Sequence, residues 1–259
     1  MSLKFAFVLL CTLVFAGALP SASAFVDTSA LREQIGKIEE ELAPDGGLGP
    51  LLEALEETAG ESAANYLQLR MEGKETTVWD VKKSDWFYPH VLALMELGIV
   101  SGYKDKQGKA LGAYGPADHV THEQALKIAL GAAGTDPAGC GDTAPAGAKS
   151  SEWAMPYAVC AAQMNFGIAS STNLQTPATR AEVLHYLLRA FDADVPDGTP
   201  PFVDSGEHPY KNDIAYAYAL GIISGDKKPD GTLRGTFRPN APVNREETAK
   251  MAKLAIDLL

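Results

Sequence analysis

The chain has 259 residues, 46% hydrophobic and 21% charged, which supports one sizeable globular core or two small ones and excludes disorder throughout. Its 22 Lys and Arg are outnumbered by 33 Asp and Glu, for a net charge of -11. That field repels nucleic-acid backbones and anionic membrane surfaces, so a general nucleic-acid binder is excluded.

The first residues read as an export signal. Lys4 gives a positive start, Phe5 to Ala18 an apolar run, and Ala22-Ser23-Ala24 the small residues that precede a cut at Phe25. A secretory signal peptide over residues 1–24 is expected, which directs the protein to the cell envelope or cell surface. The apolar run is shorter than the ~20 residues of a spanning helix, and no later run is longer, so no membrane span is expected after signal removal. Cys140 and Cys160 remain in the exported chain. An even count in an oxidising compartment predicts one disulfide between them.

Residues 25–77 predict an acidic helical hairpin or spacer. Leu31, Ile35, Ile38 and Leu42 fall at helical spacing, Pro44-Asp45-Gly46-Gly47 breaks the helix, and Leu51, Leu52 and Leu55 begin another. Glu39-Glu40-Glu41 and Glu56-Glu57 read as solvated faces. This segment is the candidate element for a homo-oligomer or a partner protein, with a polar hinge at Gly73-Lys74-Glu75.

An internal repeat dominates the remainder, with units over 78–139, 140–201 and 202–259. The units open on Val78-Trp79-Asp80, Cys140-Gly141-Asp142 and Phe202-Val203-Asp204, with equally spaced aspartates. Each continues into a short amphipathic helix that a glycine terminates, at Gly98-Ile99, Gly167-Ile168 and Gly221-Ile222. A second helix then begins at Thr121-His122-Glu123-Gln124, Thr179-Arg180-Ala181-Glu182 and Asn244-Arg245-Glu246-Glu247, each a capping box. Leu184, Leu187 and Leu188 show the buried face of such a helix. One unit cannot bury its own core, whereas three packed together can.

These residues resemble the S-layer homology domain in three copies. The likeness rests on the aspartate after an apolar or aromatic opening, Gly221-Ile222-Ile223-Ser224-Gly225 at the first helix end, Phe237-Arg238-Pro239 in the loop, and Thr179-Arg180-Ala181-Glu182 at the second helix. It implies a mainly α fold, a pseudo-threefold trefoil of three helix-loop-helix repeats preceded by the acidic helical segment. It also implies non-covalent attachment to cell-wall polysaccharide, often one bearing pyruvylated sugars. The middle copy departs from the pattern. Its interval from Gly167 to Thr179 is about half that from Gly98 to Thr121 or from Gly221 to Asn244. It lacks the aromatic-x-Pro element of Tyr114-Gly115-Pro116 and Phe237-Arg238-Pro239, and Ser171 stands in place of the second glycine.

Nothing singles out a catalytic group. The five histidines, at 90, 119, 122, 185 and 208, include no recognised ligand motif, and no serine occupies a Gly-x-Ser-x-Gly setting. The loop from Asp226 starts like a calcium loop, but Lys228 takes a ligand position and Phe237 the place of the bidentate glutamate. Catalytic residues, metal and cofactors are therefore all expected to be none.

The candidate glycan-binding residues are Arg245, Arg180 and His122, with Trp86, Trp153, Tyr210, Gly225 and Gly102 around them. A cation in the first turn of a helix opposes the helix dipole by a few tenths of a kcal/mol, so helix stability does not explain Arg180 and Arg245. An anionic ligand explains them, because helix N–H groups and a guanidinium fork make a joint carboxylate site. Pairing with a neighbouring acid is the alternative. Trp86, Trp153 and Tyr210 either stack on sugar faces or fill the core. Binding is expected to depend most on Arg245, then Arg180, then His122, with Arg245 outside the core. The leading function is a cell-surface module that binds an anionic cell-wall glycan, a secondary cell-wall polymer or a peptidoglycan-linked one. The alternative is a structural envelope or S-layer assembly protein acting through protein contacts.

Overall fold

The computed structural model describes residues 63–259 apart from 72–73, 142–146, 148 and 229. These belong to the second of two units of the chain, Gly60–Leu259. The expected signal peptide, the helices expected over 25–62, and Asp142 lie outside the described residues.

The order of elements is β1 (Tyr66–Met71), β2 (Lys74–Lys82), α1 (Tyr88–Glu96), α2 (His122–Ala132), α3 (Met155–Gln163), α4 (Arg180–Ala190), α5 (Lys211–Leu220) and α6 (Arg245–Leu258). Single 3-10 turns at Pro137–Gly139 and Glu152–Ala154 precede α3.

The expectation of a mainly α trefoil preceded by acidic helices requires correction. Strands β1 and β2 pair antiparallel, with Leu67 opposite Val78 and Arg70 opposite Glu75, in a sheet that neither later segment repeats among the described residues. The cause is local pattern joined to burial. Tyr66, Thr76, Thr77, Val78 and Trp79 are strand formers, and Leu67, Val78 and Val81 are fully buried. Trp79 N–H then donates to Gly112 O at 2.8 Å, tying β2 to the loop before α2. The strand thus runs through the Val78-Trp79-Asp80 opening.

Helices α2, α4 and α6 form the centre. Each starts at a complete capping box, on Thr121 with Gln124, Thr179 with Glu182, and Asn244 with Glu247. The residues just before the caps are linked in a closed ring: Val120 N donates to Val243 O (3.0 Å), Val243 N to Ala178 O (3.1 Å), and Ala178 N to Val120 O (2.9 Å). All three are completely buried. The backbone groups left unpaired at a helix entry are thereby satisfied across segments far apart in sequence. Leu126, Leu130, Leu184, Leu187, Leu188, Ala249 and Ala252 fill the space between the helices.

Helices α1 and α5 end at their predicted glycines, whereas α3 ends earlier than predicted: Asn165, at φ +56°, takes the terminating place expected of Gly167, and Phe166 N reaches back to Ala161 O at 2.9 Å. α5 stops at Gly221, whose φ of +84° suits glycine alone among ordinary residues, and Ile222 N then reaches back to Ala217 O at 2.9 Å. Ile222 is buried by the same turn. The disulfide between Cys140 and Cys160 is present, with Cα atoms 5.3 Å apart. It fastens the start of the middle segment to α3.

Candidate functional site

The aspartate of each described opening holds the aromatic-x-Pro turn that lies more than thirty residues later. Asp80 accepts from Tyr114 N (2.8 Å) and Gly115 N (2.7 Å). Asp204 accepts from Phe237 N (3.0 Å) and Arg238 N (2.8 Å). Burial alone would raise the Asp204 carboxyl, but the N–H groups of Phe237 and Arg238 and the Ser205 hydroxyl outweigh it and hold the group below the usual carboxylate value. The clasp drives Tyr114 and Phe237 into the core, at 1% and 0% exposure.

Their carbonyls then receive the arginines. Arg245 Nε donates to Tyr114 O at 2.7 Å and Arg245 Nη2 to Ser101 O at 2.9 Å. The Arg245 guanidinium lies over the rings of Tyr114 (4.4 Å) and Tyr103 (5.2 Å). Burial pushes the Tyr114 phenol up to about 12 despite that cation, so it stays a neutral donor, to Arg245 O. Arg180 repeats the arrangement, with Nε on Phe237 O at 2.9 Å, the guanidinium 4.9 Å over the Phe237 ring, and Nη1 paired with Glu247 at 2.5 Å. Arg180 and Arg245 are only 7% and 8% exposed. The expectation that Arg245 stands outside the core is therefore corrected: both arginines are structural clasps between segments.

His122 fills the same helix position against the middle segment, which has no aromatic-x-Pro turn. It is buried, and its Nδ1 meets Tyr186 Oη at 2.9 Å. Burial lowers its pKa below 6.5, with Glu182 opposing the shift. A neutral imidazole fits.

The eight expected ligand residues do not converge on one place. Trp86, Arg180 and Gly225 do, in a cleft of about 500 Å³. Arg245 is covered by Tyr103, whose hydroxyl donates to Asp118 at 2.7 Å. Gly102 packs where a Cβ would come 2.7 Å from Ala113 O. Trp153 is half exposed and touches Tyr157 edge-on. Tyr210 stacks on His185 with ring centres 4.3 Å apart. Trp86 and Trp153 are thus surface residues, and Tyr210 packs against the core.

The cleft lies between α1, the turn after α5, and the first turns of α4 and α6. Trp86 is 53% exposed and forms one wall. Gly225, at φ +73°, forms another, and a Cβ there would meet the Phe202 ring at 2.4 Å. Arg180, Lys227 and Lys250 bring positive charge, and Asp226 and Glu247 bring negative charge. Lys250 sits 5.9 Å over the Trp86 ring. Burial, then Lys227 and Arg180, lower its pKa from the ordinary lysine value. Burial likewise lowers His90, on the α1 side, aided by Lys250 and Lys253 and opposed by Asp257. The cleft is therefore a locus of positive potential on an acidic protein, walled by an exposed indole.

Sequence reading missed Lys250, Lys227, His90 and Glu247. For Lys250 a signal existed, since it lies three residues after the capping Glu247 and shares its helix face.

Residues 80–126 and 201–249 match the S-layer homology domain. No curated protein matches the chain. The two regions run from the clasping aspartate, or just before it, into the second helix, and they contain Trp86 at one end of the cleft and Gly225, Asp226 and Glu247 at the other. Neither region reaches the middle segment, so the third expected copy is not matched. That segment lacks the turn that Asp80 and Asp204 hold in the other two. The S-layer homology domain is a module for anchoring at the cell surface to cell-wall polymers, in general terms.

Proposed function

We propose that this protein anchors non-covalently to an anionic cell-wall polysaccharide, a secondary cell-wall polymer or a peptidoglycan-linked glycan, through the cleft between Trp86 and Lys250. The observation that carries the reading is the convergence of Arg180, Lys250 and Lys227 beside an exposed indole and a glycine-lined wall. The indole offers a face for a sugar ring. The ammonium groups and the outer edge of the guanidinium offer charge-assisted contacts to a carboxylate, each contributing about 1.5–3 kcal/mol. Gly225 is required by its left-handed backbone and by the Phe202 ring that a Cβ would strike, and so shapes the turn that carries Asp226 and Lys227 to the cleft. Arg180 orients the cleft as well as charging it, because its Nε is fixed by Phe237 O. The protein is read as exported to the cell envelope, with residues 25–62 serving a partner or a second copy.

The test is a pull-down with purified cell-wall sacculi before and after removal of secondary polymers. The wild-type chain should co-sediment only with the untreated material. Lys250→Ala and Trp86→Ala should each weaken binding about ten-fold or more while leaving the melting temperature within a degree or two, since neither side chain is part of the buried core. Equal retention of wild type and both variants would refute the cleft. Failure of the wild type to bind would favour an envelope assembly role through protein contacts.

A further inference from the structure

The loops after Gly102 and Gly225 are built alike, which allows position-by-position comparison. Tyr103 N donates to Ala113 O and Leu111 N to Tyr103 O; Asp226 N donates to Thr236 O and Arg234 N to Asp226 O. Tyr103 thus corresponds to Asp226, and Gly115 of the first aromatic-x-Pro turn corresponds to Arg238 of the second. Both turn positions have left-handed backbone, with φ +71° at Gly115 and +58° at Arg238. That region suits glycine and disfavours arginine. In the first turn a Cβ would also strike Tyr103 and Asp118. In the second, the chain carries a half-exposed arginine on unfavourable backbone, and such outliers point to a role for the side chain.

The Arg238 side chain has a specific occupation. Its Nε lies 3.0 and 2.9 Å from the two Asp226 carboxylate oxygens, and its Nη2 is 3.3 Å from Glu247 Oε1, the same oxygen that pairs with Arg180. Asp226 and Glu247 are the two acids that line the cleft. Arg238 itself does not line it. Among the described residues neither Lys227 nor Lys250 forms an ion pair, so those two charges stay available only while the acids are engaged elsewhere.

We infer that Arg238 is a positioning residue that sets the cleft's charge selectivity: by engaging Asp226 and Glu247 it leaves Lys227, Lys250 and the outer edge of Arg180 free for a carboxylate-bearing sugar. The inference rests on the proposed anionic ligand. It adds that selectivity depends on a residue outside the cleft and is absent where glycine takes its place. Without Arg238 the two carboxylates would face the lysines and compete with the ligand's own charge.

Arg238→Gly is the decisive variant, because it restores the residue that the first turn uses and relieves the backbone. The probe is a methyl glycoside bearing a pyruvate ketal, compared with the same glycoside lacking it. Arg238→Gly should melt no lower than wild type, bind the ketal glycoside about ten-fold more weakly, and bind the neutral glycoside unchanged. Adding Asp226→Asn should recover part of the loss. A second readout needs no ligand: the Lys250 ammonium, titrated by NMR, should move up in Arg238→Gly and return part-way with Asp226→Asn. Unchanged ketal affinity, or an equal loss for both glycosides, would overturn the assignment. If wild type binds neither glycoside, the proposed ligand falls, and an unmoved Lys250 titration would then overturn Arg238's role separately.

Discussion

Arg245 Nε lies 2.7 Å from the carbonyl oxygen of Tyr114, although 131 residues of chain separate them. Arg180 makes the same bond to Phe237. In both cases the arginine opens a capped helix and the carbonyl belongs to an aromatic held by an aspartate. Aspartate, turn and arginine therefore form a relay that joins one segment to another, and the arginine's guanidinium is largely consumed by the protein itself.

Arg245→Ala should accordingly unfold the protein more readily. It removes donors from two carbonyls, Tyr114 O and Ser101 O, and empties the space between two tyrosine rings. Leaving buried acceptors unpaired costs about 1–3 kcal/mol each, so a loss of roughly 3 kcal/mol is expected in urea denaturation. Arg245→Lys should recover little, because an ammonium cannot reproduce the planar fork. A melting curve unchanged by Arg245→Ala would show that the relay contributes nothing.

Much of this was legible from local sequence. Thr121, Thr179 and Asn244 announce their helix entries because capping chemistry is decided within four residues, and Gly221 announces its helix end for the same reason. The hairpin was not legible: β2 gains its stability from Leu67 and from the Gly112 carbonyl, and a reading of residues 25–77 as one acidic helical segment had no access to either. The cleft was legible only in part. Trp86, Arg180 and Gly225 carry motif signals, whereas Lys250 and Arg238 acquire meaning from the fold that brings α1, α4, α6 and the second turn together.

Stability should fall in mild acid. His122 and His90 both have pKa values lowered in the folded protein, chiefly by burial. As pH drops below about 6.5 the unfolded chain takes up protons that the folded chain refuses, so their contribution is complete above that value and is lost as pH falls toward the folded values. Tyr186 and Glu182 face His122, and the Glu182 charge limits the effect without reversing it. The melting temperature should decline between pH 7 and 5, and His122→Gln should flatten the decline. A second fall, below about pH 4, is expected from Asp204, whose lowered pKa works in the acid sense. Glu246, raised by burial and by the Glu247 charge, works in the opposite sense, so the deciding comparison is between proteins: a decline as steep in His122→Gln as in wild type would contradict the His122 assignment.

Reduction should loosen the middle segment without touching the cleft. Cys140 and Cys160 are separated by 20 residues, and closing such a loop contributes about 3 kcal/mol in the chain-entropy model. The bridge lies in the segment whose sequence has no aromatic-x-Pro element, and it ties the start of that segment to α3. Cys140→Ser with Cys160→Ser should lower the urea midpoint by a corresponding amount, while sacculus binding per folded molecule stays the same. Both thiols reacting with iodoacetamide in oxidised, native protein would exclude the bridge.

The place at which the chain can be shortened separates two accounts of its N-terminal part. Under the sequence expectation, everything before Val78 is spacer and the hinge at Gly73 is a safe cut. The structure puts Leu67 completely out of solvent opposite Val78, and Leu69 against the same core. Burial of one such leucine contributes about 1.5–3 kcal/mol, a sizeable part of the 5–15 kcal/mol that a typical domain commands. A chain beginning at Gly60 should therefore keep a cooperative melt, and one beginning at Val78 should lose several kcal/mol together with its ordered β2. Exposed Val78 and Val81 would then leave the shorter chain prone to aggregation. Val81→Ala in the longer chain should reproduce part of the loss without removing any residue, which distinguishes the packing of the hairpin from an effect of length. Equal melting temperatures for the Gly60 and Val78 chains would show that the hairpin is dispensable.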